Sequence, residues 1–376
     1  MEQGIKGGKV DFPAFFRYIP PVMNLWEAAK AEGKPIIALS PMADMTDSAF
    51  CRVAKRLGAP VVFREMISAE GLTHGSEKSF RMGAFNDEER PIVQQLFGSD
   101  PEAMARATQM IDEAYSPDGF DINMGCPVYK ITSNFNGAAL MKDAERATAI
   151  IRAMRAVTTK PVSVKLRLGW SRPDEVLEFI KVVEAAGAAL VTIHGRTKEQ
   201  GYSGVADWEM IGRAKREVKI PVLCNGDVHS PEAAVKALDV SRADGLLIAR
   251  GALGNPWIFA QMRAALEGRA YAVPTMAERI AVVREHARLH VTQYEEHHDL
   301  TTFRKHVTWY FKGIPGAKAF RDRLVKIASI EELDGILDEY QAFAEKEAAE
   351  GASNNATFDA AHEKERAEAM PTAYGA

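Results

Sequence analysis

The chain has few cysteines and no long apolar run. Its 376 residues include three cysteines, Cys51, Cys126 and Cys224, too few to suggest a disulfide framework. Apolar runs of about five to eight residues are too short to cross a bilayer, and the N-terminus lacks the basic and then apolar pattern of a signal peptide. With 47% hydrophobic and 26% charged residues, the composition excludes a disordered chain and a collagen-like fibre. We therefore expect a cytoplasmic protein with no membrane span.

Basic and acidic residues are nearly equal in number over the whole chain but are unevenly distributed along it. The formal net charge is −4, which argues against a generic nucleic-acid binder. Residues 331–376 are strongly acidic, whereas residues 301–330 contain one acid, Asp322, and seven basic side chains: Arg304, Lys305, Lys312, Lys318, Arg321, Arg323 and Lys326. Salt confines an electrostatic field to about 8–10 Å, so a local basic patch can bind phosphates whatever the total charge. A solvated basic helix is the alternative.

Short β-branched runs alternate with amphipathic segments from residue 35 onward. The eight runs lie at 35–40, 60–65, 91–97, 119–124, 161–167, 189–194, 220–225 and 245–250. The amphipathic segments between them include 101–115, 144–157, 174–187 and 231–239. Apolar strands that alternate with helices indicate a parallel sheet covered on both faces. Eight units in about 225 residues predict a closed (β/α)₈ TIM barrel of α/β class, with an open doubly wound sheet as the alternative.

Only helical periodicity follows the predicted barrel, which indicates a small all-helical C-terminal domain. The predicted organisation has four parts: an N-terminal extension at 1–34 with a short helix near 24–31, a catalytic barrel at 35–268, a helical domain at 275–345, and an acidic, disordered tail at 346–376.

Polar residues and glycines follow the predicted strands, and in a TIM barrel the C-terminal ends of the strands form the functional rim. The loops after strands seven and eight are Asn225-Gly226-Asp227 and Ala249-Arg250-Gly251. Barrels commonly hold a phosphate at these two loops. Glycine lets the backbone approach a phosphate, and Arg250 would add a charge-assisted hydrogen bond. We predict a phosphate site here; the alternative is that the glycines only make tight turns.

Cys126 differs from the other two cysteines in its surroundings. Gly125 and Pro127 flank it and place its thiol in a loop above the predicted barrel mouth. Cys51 and Cys224 fall in a helix and a strand, where cysteine behaves as a small buried hydrophobe. A thiol with a pKa near 8.5 is mostly protonated at neutral pH and can donate a proton as well as act as a nucleophile. We therefore predict a catalytic role for Cys126.

Other polar side chains on the predicted strands each have two interpretations. Lys165 is costly in an apolar strand unless it is paired, so it either stabilises an anionic ring or pairs with a barrel carboxylate. Gln95 and Asn123 carry donors and acceptors suited to the amide edge of a ring system, or they satisfy strand ends. His194 donates either to a cofactor or to the backbone.

In chain order, several motifs resemble those of the tRNA-dihydrouridine synthases. The motifs are SPMADMTDSAFCR, QLFGSDPEAMA, DINMGCPVYKI, GAALM, SVKLRLGW, TIHGRT, GYSGVADW, NGDVHSPEAA and ARGALGNPWIF. The later RKHVTWYFKGIPGAKAFRDRL is similar to the helical domain of the bacterial B-type branch. The resemblance covers residues 35 to 345 without large gaps, and its combination of NMGCP, HGRT and NGD is specific.

The resemblance implies an FMN-dependent oxidoreductase that uses NADPH or NADH to reduce the C5–C6 double bond of specific uridines in tRNA. Hydride would pass from reduced FMN to C6, and Cys126 would protonate C5. The basic residues of 301–330 would contact tRNA. The implied cofactor-binding residues are Pro41, Met42, Ala43, Gln95, Asn123, Lys165, His194, Asn225, Gly226, Asp227, Ala249, Arg250 and Gly251. We expect a monomer without a metal ion.

Three other functions remain open at this stage. The first is a flavin barrel that acts on a free pyrimidine, which the HGRT motif and the basic helical domain oppose. The second is a catalytically silent tRNA-binding protein, which the presence of Cys126 and both phosphate loops opposes. The third is a phosphosugar barrel without flavin. A colourless purified protein would favour either of the last two.

Overall fold

Eight parallel strands close into a barrel in the computed structural model, which describes residues 24–293, 300–314 and 316–350. The strands are β1 (Ile36–Leu39), β2 (Val61–Ser68), β3 (Ile92–Phe97), β4 (Gly119–Met124), β5 (Val162–Arg167), β6 (Leu190–His194), β7 (Val222–Asn225) and β8 (Gly245–Ile248). Each strand pairs with the next, and β8 pairs with β1. The predicted TIM barrel is confirmed, and the open sheet is excluded.

Helices surround the barrel and then continue into a C-terminal helical region. The first group is α1 (Leu25–Ala31), α2 (Ser48–Arg56), α3 (Ala69–Thr73), α4 (Glu77–Arg81), α5 (Pro101–Tyr115), α6 (Tyr129–Thr132), α7 (Ala144–Val157), α8 (Glu175–Ala186), α9 (Trp208–Arg216), α10 (Pro231–Ser241) and α11 (Ile258–Leu266). The C-terminal helices are α12 (Met276–Gln293), α13 (Arg304–Tyr310), α14 (Ala317–Leu324) and α15 (Ile330–Glu350). Among the described helices, none is long and apolar enough to cross a membrane.

The barrel interior is apolar at its N-terminal end. Trp26 of α1 is fully buried there and stacks on Phe63 of β2, with ring centroids 5.7 Å apart. It packs in one cluster with residues at the starts of strands, such as Ile36, Val61 and Leu190. Toward the C-terminal ends the strands instead carry buried polar side chains. Within the described strands, polar side chains suited to chemistry are therefore concentrated toward the C-terminal mouth, as expected for this fold.

The C-terminal helices share a hydrophobic core of their own, built from α12 to α15. Three aromatic side chains of this core, Phe303, Tyr310 and Phe311, are at most 1% exposed. Helix α15 continues to Glu350, so the first residues of the expected tail are helical. The rest of that tail, 351–376, and most of the N-terminal extension, 1–23, lie outside the described residues.

Candidate active site

A buried hydrogen-bond network links strands β3, β4 and β5 inside the barrel. Strand register places Gln95 opposite Asp121 and Asp121 opposite Ser163. Gln95 Nε2 donates to Asp121 Oδ2 at 2.6 Å, and Ser163 Oγ donates to Asp121 Oδ1 at 2.6 Å. Burial raises the pKa of Asp121 to about 6, against the opposing effect of these two donors. Asp121 was not predicted from the sequence, although a carboxylate within an otherwise apolar strand was the available signal.

Asn123 connects this network to the loop that carries Cys126. Its Nδ2 donates to Gln95 Oε1 at 3.0 Å. Its Oδ1 accepts from the backbone N–H groups of Gly125 at 3.2 Å and Cys126 at 2.9 Å. Both predicted amide residues therefore lie together, and the side chain of Asn123 fixes the backbone conformation of the Cys126 loop.

A second contact restrains the Cys126 loop from its other side. Ala138 N–H donates to Cys126 O at 3.1 Å. The preceding Gly137 has φ +60°, and a Cβ on it would lie 2.9 Å from Cys126 O. A glycine is required here, since a side chain would be strained and would push the loop away. The thiol position is thus set by Asn123 on one side and Gly137 on the other.

The environment of Cys126 favours its protonated form. Burial raises the pKa of its thiol; the Val128 N–H and the cations Arg167 and Lys165 oppose this rise only in part. Cys126 is nevertheless partly exposed, whereas Cys51 and Cys224 are fully buried, as the sequence predicted. At neutral pH Cys126 carries a proton that a group at the barrel mouth can reach.

Lys165 lies on β5 at the same mouth and is partly exposed. Burial and the nearby Arg167 lower the pKa of its ammonium to about 8, while Asp121 opposes the shift. Within the described part of the chain, Lys165 Nζ makes no hydrogen bond or ion pair. Asp121 is the barrel carboxylate that interacts with Lys165 electrostatically, without a direct hydrogen bond, so both interpretations of Lys165 stay open. An unpaired ammonium in a low-dielectric mouth is suited to an anionic ligand.

Arg167 joins the Cys126 loop to the loop after β6. It is 1% exposed, and its Nε donates to Gly125 O at 2.8 Å. Its Nη1 donates to Thr197 O at 2.8 Å and to Gly201 O at 2.7 Å. The Tyr202 ring lies 5.4 Å from the Arg167 guanidinium and 5.4 Å from that of Arg250. The sequence placed Arg167 on a strand, but its role as a link between loops was not predicted.

The carboxylate of Asp227 is held by Arg196. Arg196 Nη1 and Nη2 donate to Asp227 Oδ1 and Oδ2 at 2.9 and 2.7 Å, and Ala206 N–H donates to Oδ2 at 2.7 Å. Burial alone would raise the pKa of Asp227, but its bonds to Arg196 and Ala206 leave the pKa lowered. The Asp227 carboxylate thus fixes the loop after β7, and the expected cofactor-binding role of Asp227 stays a prediction. Arg196, within HGRT, is a site residue that was not predicted from the sequence.

The remaining residues of the loops after β7 and β8 lie beside this ion pair. Gly226 has φ +110°, and a Cβ on it would lie 2.7 Å from His194 Cδ2, so only glycine fits. Asn225 Nδ2 donates to Leu247 O at 2.7 Å, which ties β7 to β8. Arg250 is partly exposed and opens the short 3₁₀ turn Arg250–Ala252 that follows Ala249. Burial and the surrounding arginines and Lys165 lower the pKa of His194, so its imidazole is neutral.

The loop after β1 brings Pro41, Met42 and Ala43 to the rim as partly exposed residues. Met42 N–H donates to Thr46 Oγ1 at 2.9 Å, and Thr46 N–H donates to Met42 O at 3.0 Å. Asp44, with φ +59°, donates its N–H to Glu65 Oε2 at 2.8 Å. These bonds hold the loop in a compact turn at the mouth.

The basic residues of 301–330 divide by their partners. Arg304 donates to the backbone carbonyls of Ile327 at 2.8 Å and Lys326 at 3.1 Å. Arg323 forms a bidentate ion pair with Glu339, at 2.5 and 2.9 Å. Lys305 and Lys312 are partly exposed, and Lys312 Nζ lies 4.7 Å from the Trp309 ring centroid. The side chains that remain exposed without an ion pair in the described residues are Lys318, Arg321 and Lys326.

The protein is a TIM barrel in which the Cys126 thiol, the Gln95–Asn123 amide network and the glycine-containing loops after β7 and β8 lie at one mouth. The profile of the dihydrouridine synthase (Dus) family matches residues 37–348. The chain belongs to the dihydrouridine synthase family.

Curated bacterial relatives agree with this assignment. A probable tRNA-dihydrouridine synthase of Rickettsia conorii is 37% identical over 288 residues, covering 76% of this chain and 87% of the relative. Probable tRNA-dihydrouridine synthase 1 of Synechocystis is 37% identical over 303 residues, covering 80% and 84%. A probable tRNA-dihydrouridine synthase of Mycobacterium tuberculosis is 36% identical over 315 residues, covering 80% and 81%.

Proposed function

We propose that the protein is a tRNA-dihydrouridine synthase that reduces the C5–C6 double bond of specific uridines in cytoplasmic tRNA, with FMN as cofactor and NADPH or NADH as reductant. One observation carries the proposal: a protonated, partly exposed Cys126 lies in a loop held by Asn123 at the mouth of the barrel. Family membership and the names of the curated relatives support the substrate.

The residues at the mouth fit FMN. Lys165 offers an ammonium without a protein partner in the described residues, which suits the negative charge that a reduced flavin carries on its ring. Gly226 allows the backbone to approach a phosphate closely, and Arg250 offers a charged donor at the neighbouring loop. When bound, FMN would supply the hydride that goes to C6 of the uracil ring.

The chain's own groups would orient the cofactor and exclude water. Gln95 and Asn123 are already bonded to each other, so they present a fixed amide pair rather than mobile side chains. Neutral His194 can form a hydrogen bond without adding charge to the site. Pro41 and Met42 would provide apolar lining at the β1 side of the mouth.

Cys126 would hold the second hydrogen of the reaction as a proton at Sγ. The reduced C5–C6 bond needs a proton at C5, and a thiol with a raised pKa keeps that proton until a carbanion-like centre lies within reach. The target uridine must first leave its stack, at a cost of a few kcal/mol, since a stacked base cannot enter the barrel mouth. Asn123 and Gly137 would keep Sγ in position meanwhile.

Mass-spectrometric mapping of tRNA tests the function directly. Unmodified tRNA incubated with purified protein and NADPH should gain two hydrogens at defined uridines. A yellow protein that oxidises NADPH without changing tRNA would overturn the proposal and favour a free-pyrimidine reductase. A colourless protein would favour a silent tRNA-binding protein or a phosphosugar barrel.

We further propose that the exposed basic residues of α14 and its C-terminal loop bind the tRNA backbone. Replacing Lys318 or Arg321 by alanine should weaken tRNA binding and reduce the slope of log affinity against log salt by about 0.7–0.9 for each phosphate that is no longer neutralised. Arg323→Ala is the matched control, because Glu339 already balances its charge. Arg323→Ala should change the salt slope less than Lys318→Ala or Arg321→Ala. Binding that is insensitive to salt, or equal effects in all three variants, would contradict this interface.

A further inference from the structure

A buried cluster of titratable side chains lies apart from the barrel mouth, where the C-terminal helices meet the barrel. Asp47 caps the N-terminus of α2, while His286 and His306 come from α12 and α13. Their side chains are at most 2% exposed, and one ligand-type atom from each lies within 4.8 Å of the others. The proposed reaction uses none of the three.

Two of these side chains have an unsatisfied nitrogen. Among the described residues, His286 Nε2 and His306 Nε2 are buried and have no hydrogen-bond partner. Leaving a buried polar atom unpaired is costly, so such atoms usually mark a water or an ion. Burial lowers the pKa of both rings, that of His306 to about 3, so both are neutral and each can present a lone pair. Burial alone would raise the pKa of Asp47, but its hydrogen bond to His290 leaves the pKa lowered, so it is a carboxylate.

Neighbouring side chains already hydrogen-bond to the other atoms of His286 and Asp47. His286 Nδ1 lies 3.0 Å from Tyr310 Oη, so a proton on Nδ1 leaves Nε2 as the ligating atom. His290 Nδ1 lies 3.2 Å from Asp47 Oδ2, and its Nε2 lies 2.7 Å from Thr302 Oγ1. Metal-bound histidines and carboxylates characteristically have their other atoms hydrogen-bonded in this way.

We propose that Asp47, His286 and His306 form a structural zinc site that ties the C-terminal helices to the barrel. Two neutral imidazoles and one carboxylate are ligands that Zn²⁺ accepts, with a water molecule as the fourth. The three ligand atoms would draw closer together on binding. The site revises the expectation of no metal, and it stands independently of the proposed function.

The site would also connect the helical region with the cofactor rim. Asp47 follows directly on Thr46, whose hydroxyl and backbone hold Met42 in the loop after β1. A metal that fixes Asp47 against α12 and α13 would therefore also fix α14, which shares their hydrophobic core and carries the proposed tRNA-binding residues, relative to this loop.

Metal analysis of the purified full-length protein tests the proposal. We expect about one equivalent of zinc per chain, a lower Tm after chelation, and recovery of the Tm on adding Zn²⁺. Cobalt added to the stripped protein should give the visible absorption of a four-coordinate site without the near-ultraviolet band of a thiolate ligand. The variants His286→Gln and His306→Gln should lose the cobalt band and the zinc-dependent Tm shift.

Two controls separate this site from other metal binding. His74→Gln removes an exposed histidine outside the cluster, and Cys126→Ala removes the thiol at the mouth; both should keep the metal. Should the two cluster variants fail to fold, the wild-type measurements decide alone. A folded wild-type chain without zinc, whose Tm responds to neither chelator nor Zn²⁺, would overturn the proposal and leave a buried water as the bridge. Metal retained by His306→Gln would overturn it as well.

Discussion

Replacing Cys126 by alanine is expected to lower the rate of uridine reduction about 10²- to 10⁴-fold, the contribution of a well-placed general acid. The thiol is the protonated group that Asn123 and Gly137 hold at the barrel mouth. Its removal leaves Lys165 and the loops after β7 and β8, which we propose to bind the cofactor, unchanged. Flavin content and NADPH oxidation should therefore remain near wild-type levels, while dihydrouridine in tRNA, measured by mass spectrometry, almost disappears.

Cys224→Ala is the matched control, because it removes a thiol from the same barrel at a buried position on β7. It should cost some stability but leave the tRNA reaction of folded protein intact. Normal dihydrouridine formation by Cys126→Ala would show that the thiol is not the acid. Equal loss of flavin and of tRNA activity would show that Cys126 acts through the structure of its loop.

The strands and helices of the barrel could be predicted because the signals that set their bounds, such as helix caps, act within a few residues. Helices α5 and α7 have the bounds of their amphipathic segments, since Asp100 and Asp143 cap them through side-chain bonds to the backbone. Strand β2 runs to Ser68, beyond its predicted end, because a register shift between Arg64 and Ile67 lets Ile67 and Ser68 continue the pairing with β3. The charged pair Arg64-Glu65 interrupts the apolar run and gave no sign of that continuation.

The site was predicted only where position along a strand determines function. The positions of Cys126 and of the loops after β7 and β8 at the rim could be predicted, because the end of each strand defines the rim. Contacts between residues far apart in the sequence could not be predicted. Arg196 donates to the carboxylate of Asp227, 31 residues away, and this contact makes Asp227 part of the structure of its loop. Likewise, Asp47 and His290 are 243 residues apart and meet only through tertiary packing. Pairs of this kind are defined only when the barrel and the C-terminal helices assemble, so the local sequence does not reveal them.

Replacing Asp227 by alanine is expected to destabilise the fold by about 3 kcal/mol, the lower end for a broken buried pair, because Asp227 itself is partly exposed. The variant leaves the Arg196 guanidinium buried without its counter-charge. The β7 loop, with Gly226 at φ +110°, would lose the carboxylate that holds it. Flavin content should fall with stability, and urea unfolding together with the flavin absorbance of purified protein measures both.

The pH dependence of stability gives a second test of the Asp227→Ala prediction. The pKa of Asp227 is lowered in the folded state, so its stabilising effect is complete at neutral pH and is lost as the pH falls from the ordinary carboxyl pKa through the lowered folded-state pKa. Asp227→Ala should therefore be closest to wild type in stability at low pH.

Asp239→Ala is the surface control: it removes the exposed ion-pair partner of Arg242 at the end of α10 and should lower the free energy of unfolding by only about 0–1 kcal/mol, with full flavin content. If both variants behave alike, the Arg196 pair does not hold the phosphate loop, because a surface pair and a buried one would then contribute equally.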